Sequence, residues 1–300
     1  PVSFRRVVEV WDAAEHRAAA ERVYRRFEGL LGGTYWHDVP VVRVFPSSDY
    51  ARLWEQRIVE GHGVSKWIEL VEPEAGVVAP FGVGRVNGAG WVDVPALLEA
   101  WADWAKSEPE RLKWQEGAWS WEDGLPAGFD GVVDARGVGA VGDLAQWGVP
   151  INPNHGEVLT LKPGVWNGAY TLNANKWVLP QPGGGARLGA TYAWNIPDER
   201  ILPASRAALL AAISGVLAVP VGEADVADHR AGLRPASPDR RPLVGRLSDR
   251  HPWYSVINGL GTRGVLVGPA AAQALARELL GSGGARELTN PRRFRSFNEI

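Results

Sequence analysis

The stretch from His229 to Leu280 constrains the fold of this chain more than any other. Within it, Ala231-Gly232-Leu233-Arg234-Pro235 is an extended run ending in an arginine fixed by a proline. Pro238-Asp239-Arg240-Arg241-Pro242 reads as a turn. Trp253 to Asn258 is apolar and β-branched, which predicts a strand. Gly259-Leu260-Gly261-Thr262-Arg263-Gly264 follows, then an Ala/Leu-rich helix over about Val265 to Leu280, stopped by Gly281-Ser282-Gly283. A strand that enters a helix through glycines points free backbone N–H groups and the positive end of the helix dipole at whatever lies over the turn. Two readings of the turn are open. Either its glycines only let a strand reverse into a helix, or the turn cradles an anion or an electron-rich ring edge.

Three hundred residues allow one large domain or two interleaved ones. A net charge of −2 offers no basic field for nucleic acid and no polybasic membrane face. No apolar run reaches the length of a transmembrane span, and no signal-peptide pattern opens the chain. The absence of cysteine excludes disulfides, thiolate metal sites and cysteine catalysis, and a cytoplasmic location fits it. Methionine is absent too, and the chain begins at Pro1, so it reads as a fragment of a longer protein. Most of the fifteen tryptophans are expected in the core or at a domain interface.

Along the chain, Trp11 to Leu31 has helical periodicity, with Ala14, Ala18, Val23, Phe27 and Leu30 on one side. Strands are predicted at 40–45, 112–115, 129–137, 158–162, 176–180, 186–194 and 224–235, while 67–71 and 76–83 read as short strands or loop. Further helices are predicted over 50–56 behind a Ser47-Ser48-Asp49 cap, over 96–106 behind Asp93, and over 205–217. The polar tail beyond Gly283 is expected to be ordered only in part. Alternating strands and helices with long non-local returns suggest two domains woven together.

An arginine-proline strand, a D-x-x-P turn and a G-x-G-x-x-G turn into a helix, in that order, closely resemble the C-terminal signature of FAD-dependent oxidoreductases of the D-amino-acid oxidase type. That family includes glycine oxidase, sarcosine oxidase and the oxidase domain of a bifunctional enzyme that modifies tRNA wobble uridines. Asn152-Pro153-Asn154-His155-Gly156-Glu157-Val158-Leu159 resembles the family's P-x-x-G-E-x-L entry into the substrate domain, and Leu188 to Trp194 resembles its GATYEW strand. The resemblance implies an α/β (α+β mixed) fold. A Rossmann-like FAD-binding domain (96–150 and 236–283, its first βαβ missing) is interleaved with a mostly antiparallel substrate-binding sheet (38–90 and 151–235). Residues 1–37 supply a helix near the domain interface.

What the resemblance implies chemically is oxidation of an amine or amino acid by hydride transfer to flavin N5, with FAD as cofactor. The partner is a small molecule, with membrane excluded and nucleic acid disfavoured. No acid–base dyad is required, so no catalytic residue is assigned. Arg234 is the expected carboxylate ligand, because a guanidinium fork matches a carboxylate with two parallel hydrogen bonds. Its bland alternative is a salt bridge with Asp228 or Asp239. Arg230, four residues earlier on the same strand, either makes the pocket doubly basic or pairs with an acid. Tyr192 and Trp194 either roof the substrate or pack in the core. Gly259, Gly261, Thr262, Gly264 and Val265 are expected at the flavin, acting through backbone N–H groups; Arg263 faces the flavin pyrimidine or solvent. Ala135, Arg136 and Gly137 end the family's strand beside FAD, with Arg136 departing from the usual small residue. It contacts a phosphate or pairs with an acid. His155 and His229 lack metal-like company and are read as structural, and no metal site is assigned.

The family opens with a strand, a G-x-G-x-x-G turn and a helix that hold the FAD pyrophosphate. That unit, roughly 30 or more residues, has no match at the front of this chain. Two alternatives therefore stand beside the amine oxidase: the tRNA-modifying oxidase, and a truncated or degenerate non-enzymatic fold that binds a partner.

Overall fold

A computed structural model describes residues 1–61, 63–283 and 287–294. The chain opens with a hairpin of β1 (Val2–Ser3) and β2 (Val8–Glu9). Helix α1 (Ala13–Leu31) ends at Gly32, whose φ of 70° is a left-handed value that glycine adopts without Cβ strain. Next come β3 (Trp36–His37) and β4 (Val41–Val44). Ser47 caps α2 (Ser48–Val59) by accepting from the Tyr50 N–H at 3.2 Å. Strands β5 (Ile68–Val71), β6 (Val83–Val86) and β7 (Trp91–Val92) lead to Asp93, which caps α3 (Val94–Ser107). Strand β8 (Val132–Asp134) and helix α4 (Val141–Gln146) follow. Then come β9 (Asn152–Leu161), β10 (Thr171–Asn173), β11 (Trp177–Pro180), β12 (Ala186–Gly189) and β13 (Ala193–Trp194). Helix α5 (Ser205–Ile213), β14 (Val226–Ala236), β15 (Leu243–Arg246), β16 (Tyr254–Asn258) and α6 (Gly264–Leu279) complete the order.

Nine strands form one sheet, β13-β9-β12-β11-β10-β4-β6-β5, with β14 on the other edge of β9. Every pairing in it is antiparallel except β10 with β4. Leu159, Leu161, Leu172 and Leu188 from this sheet pack against Leu209 and Ile213 of α5. A second sheet has the order β15-β16-β8, with β16 and β8 parallel. Leu243, Tyr254 and Val256 of that sheet pack on Leu144 and Val149. Around Tyr254 the rings of Trp119, Trp147 and Trp253 meet, and Trp121 and His251 meet Trp147 in turn. These account for several of the tryptophans. The mixed α/β class expected from the sequence is the one observed. Among the described residues, no helix is long and apolar enough to cross a membrane.

Several expected elements differ. No strand forms at Leu112–Gln115, where the backbone finds no sheet partner; of the two stretches left open, 68–71 is strand and 76–82 is loop leading into β6. The 129–137 strand shrinks to β8 because only Val132–Asp134 lie beside β16. The helix expected to reach Leu217 stops at Ile213, where Ser214 turns extended and Gly215 has φ 77°. The expected 186–194 strand breaks between β12 and β13, and the Gly189–Ala190 peptide is cis. Strand β10 had no sequence expectation. The buried face of α1 is His16, Ala20 and Tyr24 with Ala13 and Ala19, not the Ala14–Leu30 side. Helix α6 sets that face: Tyr24 donates its hydroxyl to the Val265 carbonyl at 3.0 Å. In the tail beyond Gly283, Glu287–Thr289 and Pro291–Phe294 form short turns of helix; the remainder of that expectation lies outside the described residues.

Candidate functional site

The long ladder between β9 and β14 places Arg234 opposite Asn154. Its Nη1 donates to Asn154 Oδ1 at 3.0 Å, to the Thr191 carbonyl at 3.3 Å and to the His155 carbonyl at 3.4 Å. Among the described residues, Nε and Nη2 have no acceptor and the guanidinium has no carboxylate partner. The acids of the bland alternative are engaged elsewhere. Asp228 accepts from Arg230 Nε at 2.6 Å, and Asp239 from Arg293 Nε at 2.7 Å. The guanidinium lies flat between two surfaces. On one side is the backbone of Gly156, where any Cβ would collide with Nη1, Nη2 and Cζ. The Tyr192 ring is 4.7 Å away, centroid to Cζ. Burial holds Arg234 below the usual arginine range.

Tyr192 is 58% exposed and Trp194 56% exposed, so neither packs in the core. Tyr192 sits in the gap between β12 and β13, where the Thr191 N–H donates to the Glu157 carbonyl at 3.1 Å. Trp194 pairs with Asn154 on the edge of β9 opposite Arg234. Lys176, which the sequence reading missed, stands 5.7 Å from the Tyr192 centroid and donates to the Ala190 carbonyl at 2.6 Å. Arg230 does not join this cluster. Its side chain is 78% exposed and paired with Asp228, which corrects the doubly basic option that strand alternation allowed.

Strand β14 ends where Ala236 bridges Leu260, and this joins the arginine strand to the glycine turn. Gly259 and Gly261 have φ of 68° and 55°, which a side chain would resist. Asn258, also unread in the sequence, locks the turn to the end of β8. Its Nδ2 donates to the Gly137 carbonyl at 2.9 Å and its Oδ1 accepts from the Gly259 N–H at 2.8 Å. Gly137 in turn lies against Pro235, 3.6 Å from where its Cβ would be. Ala135, Gly137 and the 259–265 turn are thus brought to one place.

Over the start of α6 lies a cavity of about 420 Å³. Trp36, Trp91 and Trp177 wall it, and Thr262, Arg263 and Val265 line it from the turn. Such size and apolarity suit a small-molecule site. Arg263 donates to the Arg240 carbonyl and has no carboxylate among the described residues. Burial, then the charge of Arg240, holds it below the usual arginine range. Gly264 opens α6 at the same turn.

Arg136 resolves to the acid-pairing option. It donates to Asp134 at 2.7 Å and Asp143 at 2.6 Å, and hydrogen bonding to Asp134 raises its pKa. His155 and His229 flank a fully buried carboxylate, Glu157. His229 Nε2 is 2.8 Å from Glu157 Oε2, and His155 Nδ1 is 3.9 Å from Oε1. The Ser205 hydroxyl also donates to it, and the Leu202 N–H does so at 3.3 Å.

Comparison with known proteins adds a family to this geometry. A family described as FAD dependent oxidoreductase matches residues 8–278. The chain is 26% identical over 309 aligned residues to the tRNA 5-methylaminomethyl-2-thiouridine biosynthesis bifunctional protein of Pseudomonas fluorescens (strain Pf0-1), covering 84% of this chain and 45% of that protein. It is 36% identical over 119 residues to the protein of the same name from Maricaulis maris (strain MCS10), covering 37% of this chain and 19% of that one. The chain spans less than half the length of these relatives. Glycine oxidase from Geobacillus kaustophilus shares the fold with a TM-score of 0.77 at 17% identity, covering 96% of this chain and 82% of that one. Iminodiacetate oxidase from Chelativorans sp. BNC1 does so with a TM-score of 0.74 at 21% identity, covering 93% and 82%. With the match running through both sheets and the glycine turn, the chain belongs to the FAD dependent oxidoreductase family of the D-amino-acid oxidase type.

Proposed function

We propose that the chain oxidises a small amine or amino acid bearing a carboxylate, with FAD as the electron acceptor. The observation that carries this reading is the open edge of Arg234: a half-buried guanidinium with Nε and Nη2 unclaimed among the described residues. A carboxylate accepts two parallel hydrogen bonds from such an edge. Gly156 and Tyr192 hold the planar fork in place before the substrate arrives. Trp194 flanks the entrance.

The residues present fit the ring end of FAD. Tryptophan walls suit a flat aromatic ring, and the helix start with Arg263 suits its electron-rich edge. Gly259, Gly261, Thr262, Gly264 and Val265 would hold that edge, with Ala135 and Gly137 beside them. When bound, the flavin supplies the acceptor for the substrate's hydride. The chain's own part is to fix the carboxylate at Arg234 and to exclude water with Trp36, Trp91 and Trp177. In this reading 96–150 and 236–283 serve the flavin, and 38–90 and 151–235 serve the substrate.

The test is steady-state kinetics of the FAD-loaded enzyme with sarcosine, an amine bearing one carboxylate. Charge-assisted hydrogen bonds are worth about 1.5–3 kcal/mol each, so Arg234→Ala is expected to raise KM by tens-fold or more, at roughly 1.4 kcal/mol per tenfold. Arg234→Lys recovers part of the loss, since it offers charge without the fork. Unchanged KM in Arg234→Ala removes the carboxylate reading. A second reading, a tRNA wobble-uridine side chain as substrate, is favoured by the names of the curated relatives. The open aromatic rim of Tyr192 and Trp194 also suits a stacked base. Turnover of tRNA carrying an alkylaminomethyl uridine, with free amines inert, would select it.

A further inference from the structure

Tyr192 carries two cations and no anion. Arg234 Cζ is 4.7 Å and Lys176 Nζ 5.7 Å from the same ring centroid. Among the described residues, neither forms an ion pair. Asp228 is engaged by Arg230, Asp198 by Arg200, and Glu157 by Ser205, and none of the three pairs with Arg234 or Lys176. Lys176 uses one donor on the Ala190 carbonyl, and an ammonium has three. Burial, then the charge of Arg234, holds Lys176 below the usual lysine range. Two like charges gathered in a half-buried place destabilise each other unless an anion joins them. One carboxylate satisfies the Arg234 fork and leaves Lys176 uncompensated. Lys176 is joined to the cavity through its chain neighbour Trp177, which lines it.

We propose that the substrate is a small dianion, an amine with two carboxylates, one held by Arg234 and the second by Lys176. Both charges stand close enough to one ring for a single small molecule to reach them. This inference rests on the carboxylate reading of Arg234 given above, and names the substrate class of that same site. The Tyr192 ring lies within cation–π reach of both.

Isothermal titration calorimetry with sarcosine and iminodiacetate tests it. Both are secondary amines, and they differ by one carboxylate. Iminodiacetate is expected to bind at least about tenfold tighter. Lys176→Gln should bring iminodiacetate to the sarcosine level and leave sarcosine unchanged. Lys176→Arg should keep the preference, and Arg234→Ala should weaken both ligands. The wild-type preference needs no variant, so a poorly folding Lys176→Gln protein does not protect the proposal. Equal binding of the two probes overturns the second carboxylate and leaves the role of Arg234 standing. A preference that survives Lys176→Gln overturns it as well. Equal loss of both ligands in Lys176→Gln shows that Lys176 only holds the Ala190 loop. Binding of neither probe overturns the carboxylate reading of Arg234 together with this inference.

Discussion

His229 Nε2 lies 2.8 Å from Glu157 Oε2 across the β9–β14 ladder, with side chains 4% and 0% exposed. The carboxylate also accepts from Ser205 and from the Leu202 N–H, so β9, β14 and the segment leading into α5 meet on it. A buried carboxylate is tolerated only with such a set of donors. Removing it strands the Ser205 hydroxyl and the Leu202 N–H. Glu157→Ala is expected to cost about 3–5 kcal/mol, and Glu157→Gln less, because an amide oxygen still accepts. Urea unfolding of the two variants checks the order.

Gly156 is needed for space rather than for a turn. Any Cβ there enters the Arg234 guanidinium. The arginine tip can swing away, so the fold survives while the fork is displaced. Gly156→Ala is therefore expected to raise the substrate KM about as much as Arg234→Ala while the melting temperature changes little. A melting curve and steady-state kinetics on one preparation read both.

Gly84 makes the contrasting case. Its Cβ would enter the ring of Trp54, which is fully buried and has nowhere to go. Overpacking of this kind costs typically about 1–3 kcal/mol. Gly84→Ala should lower thermal stability while leaving the affinity of the folded fraction for substrate intact, as ligand titration of that fraction would show.

Asp134 links stability to acid. Burial alone would raise its pKa, but hydrogen bonds from the Arg136 side chain and backbone and from Tyr254 outweigh this and hold it below its ordinary 3.8. A depressed carboxylate contributes stability that is complete above the unfolded value and is lost as pH falls through the folded one. Wild-type protein should thus lose stability steeply below pH 3.8. Asp134→Asn should be less stable at pH 7 and should show a shallower acid limb. Thermal melts across pH 2–7 compare the two slopes.

Arg234 and the glycine turn were legible because their signals are local: an arginine before a proline, and glycines between a strand and a helix. Their surroundings were not. Lys176 and Asn258 act through partners distant in the chain that nothing in their flanking residues marks, and the motif around Glu157 does not name His229 or Ser205 as its neighbours. The face of α1 was misread because apolar spacing alone does not say which side α6 will cover; the alanines at 13, 19 and 20 allow its close approach. Arg230 failed for another reason. Strand alternation gives a side, but a neighbouring carboxylate two residues away turned its guanidinium toward solvent. The 186–194 strand was read whole because its composition is β-like throughout, whereas the break at Ala190 is what presents Thr191 and Tyr192 to Arg234.

Strand β14 behaves as a caliper. From Asp228, past the register shift near Val226, its pairing with β9 runs unbroken to Ala236, which then bridges Leu260. The span between the arginine fork and the glycine turn is fixed by counting residues, not by side-chain packing. Deleting Pro235 would either break the Ala236–Leu260 bridge or slip β14 by one residue and turn the guanidinium to the opposite face of the sheet. The number of residues between Arg234 and Ala236 is therefore as much a part of this geometry as the side chains it positions.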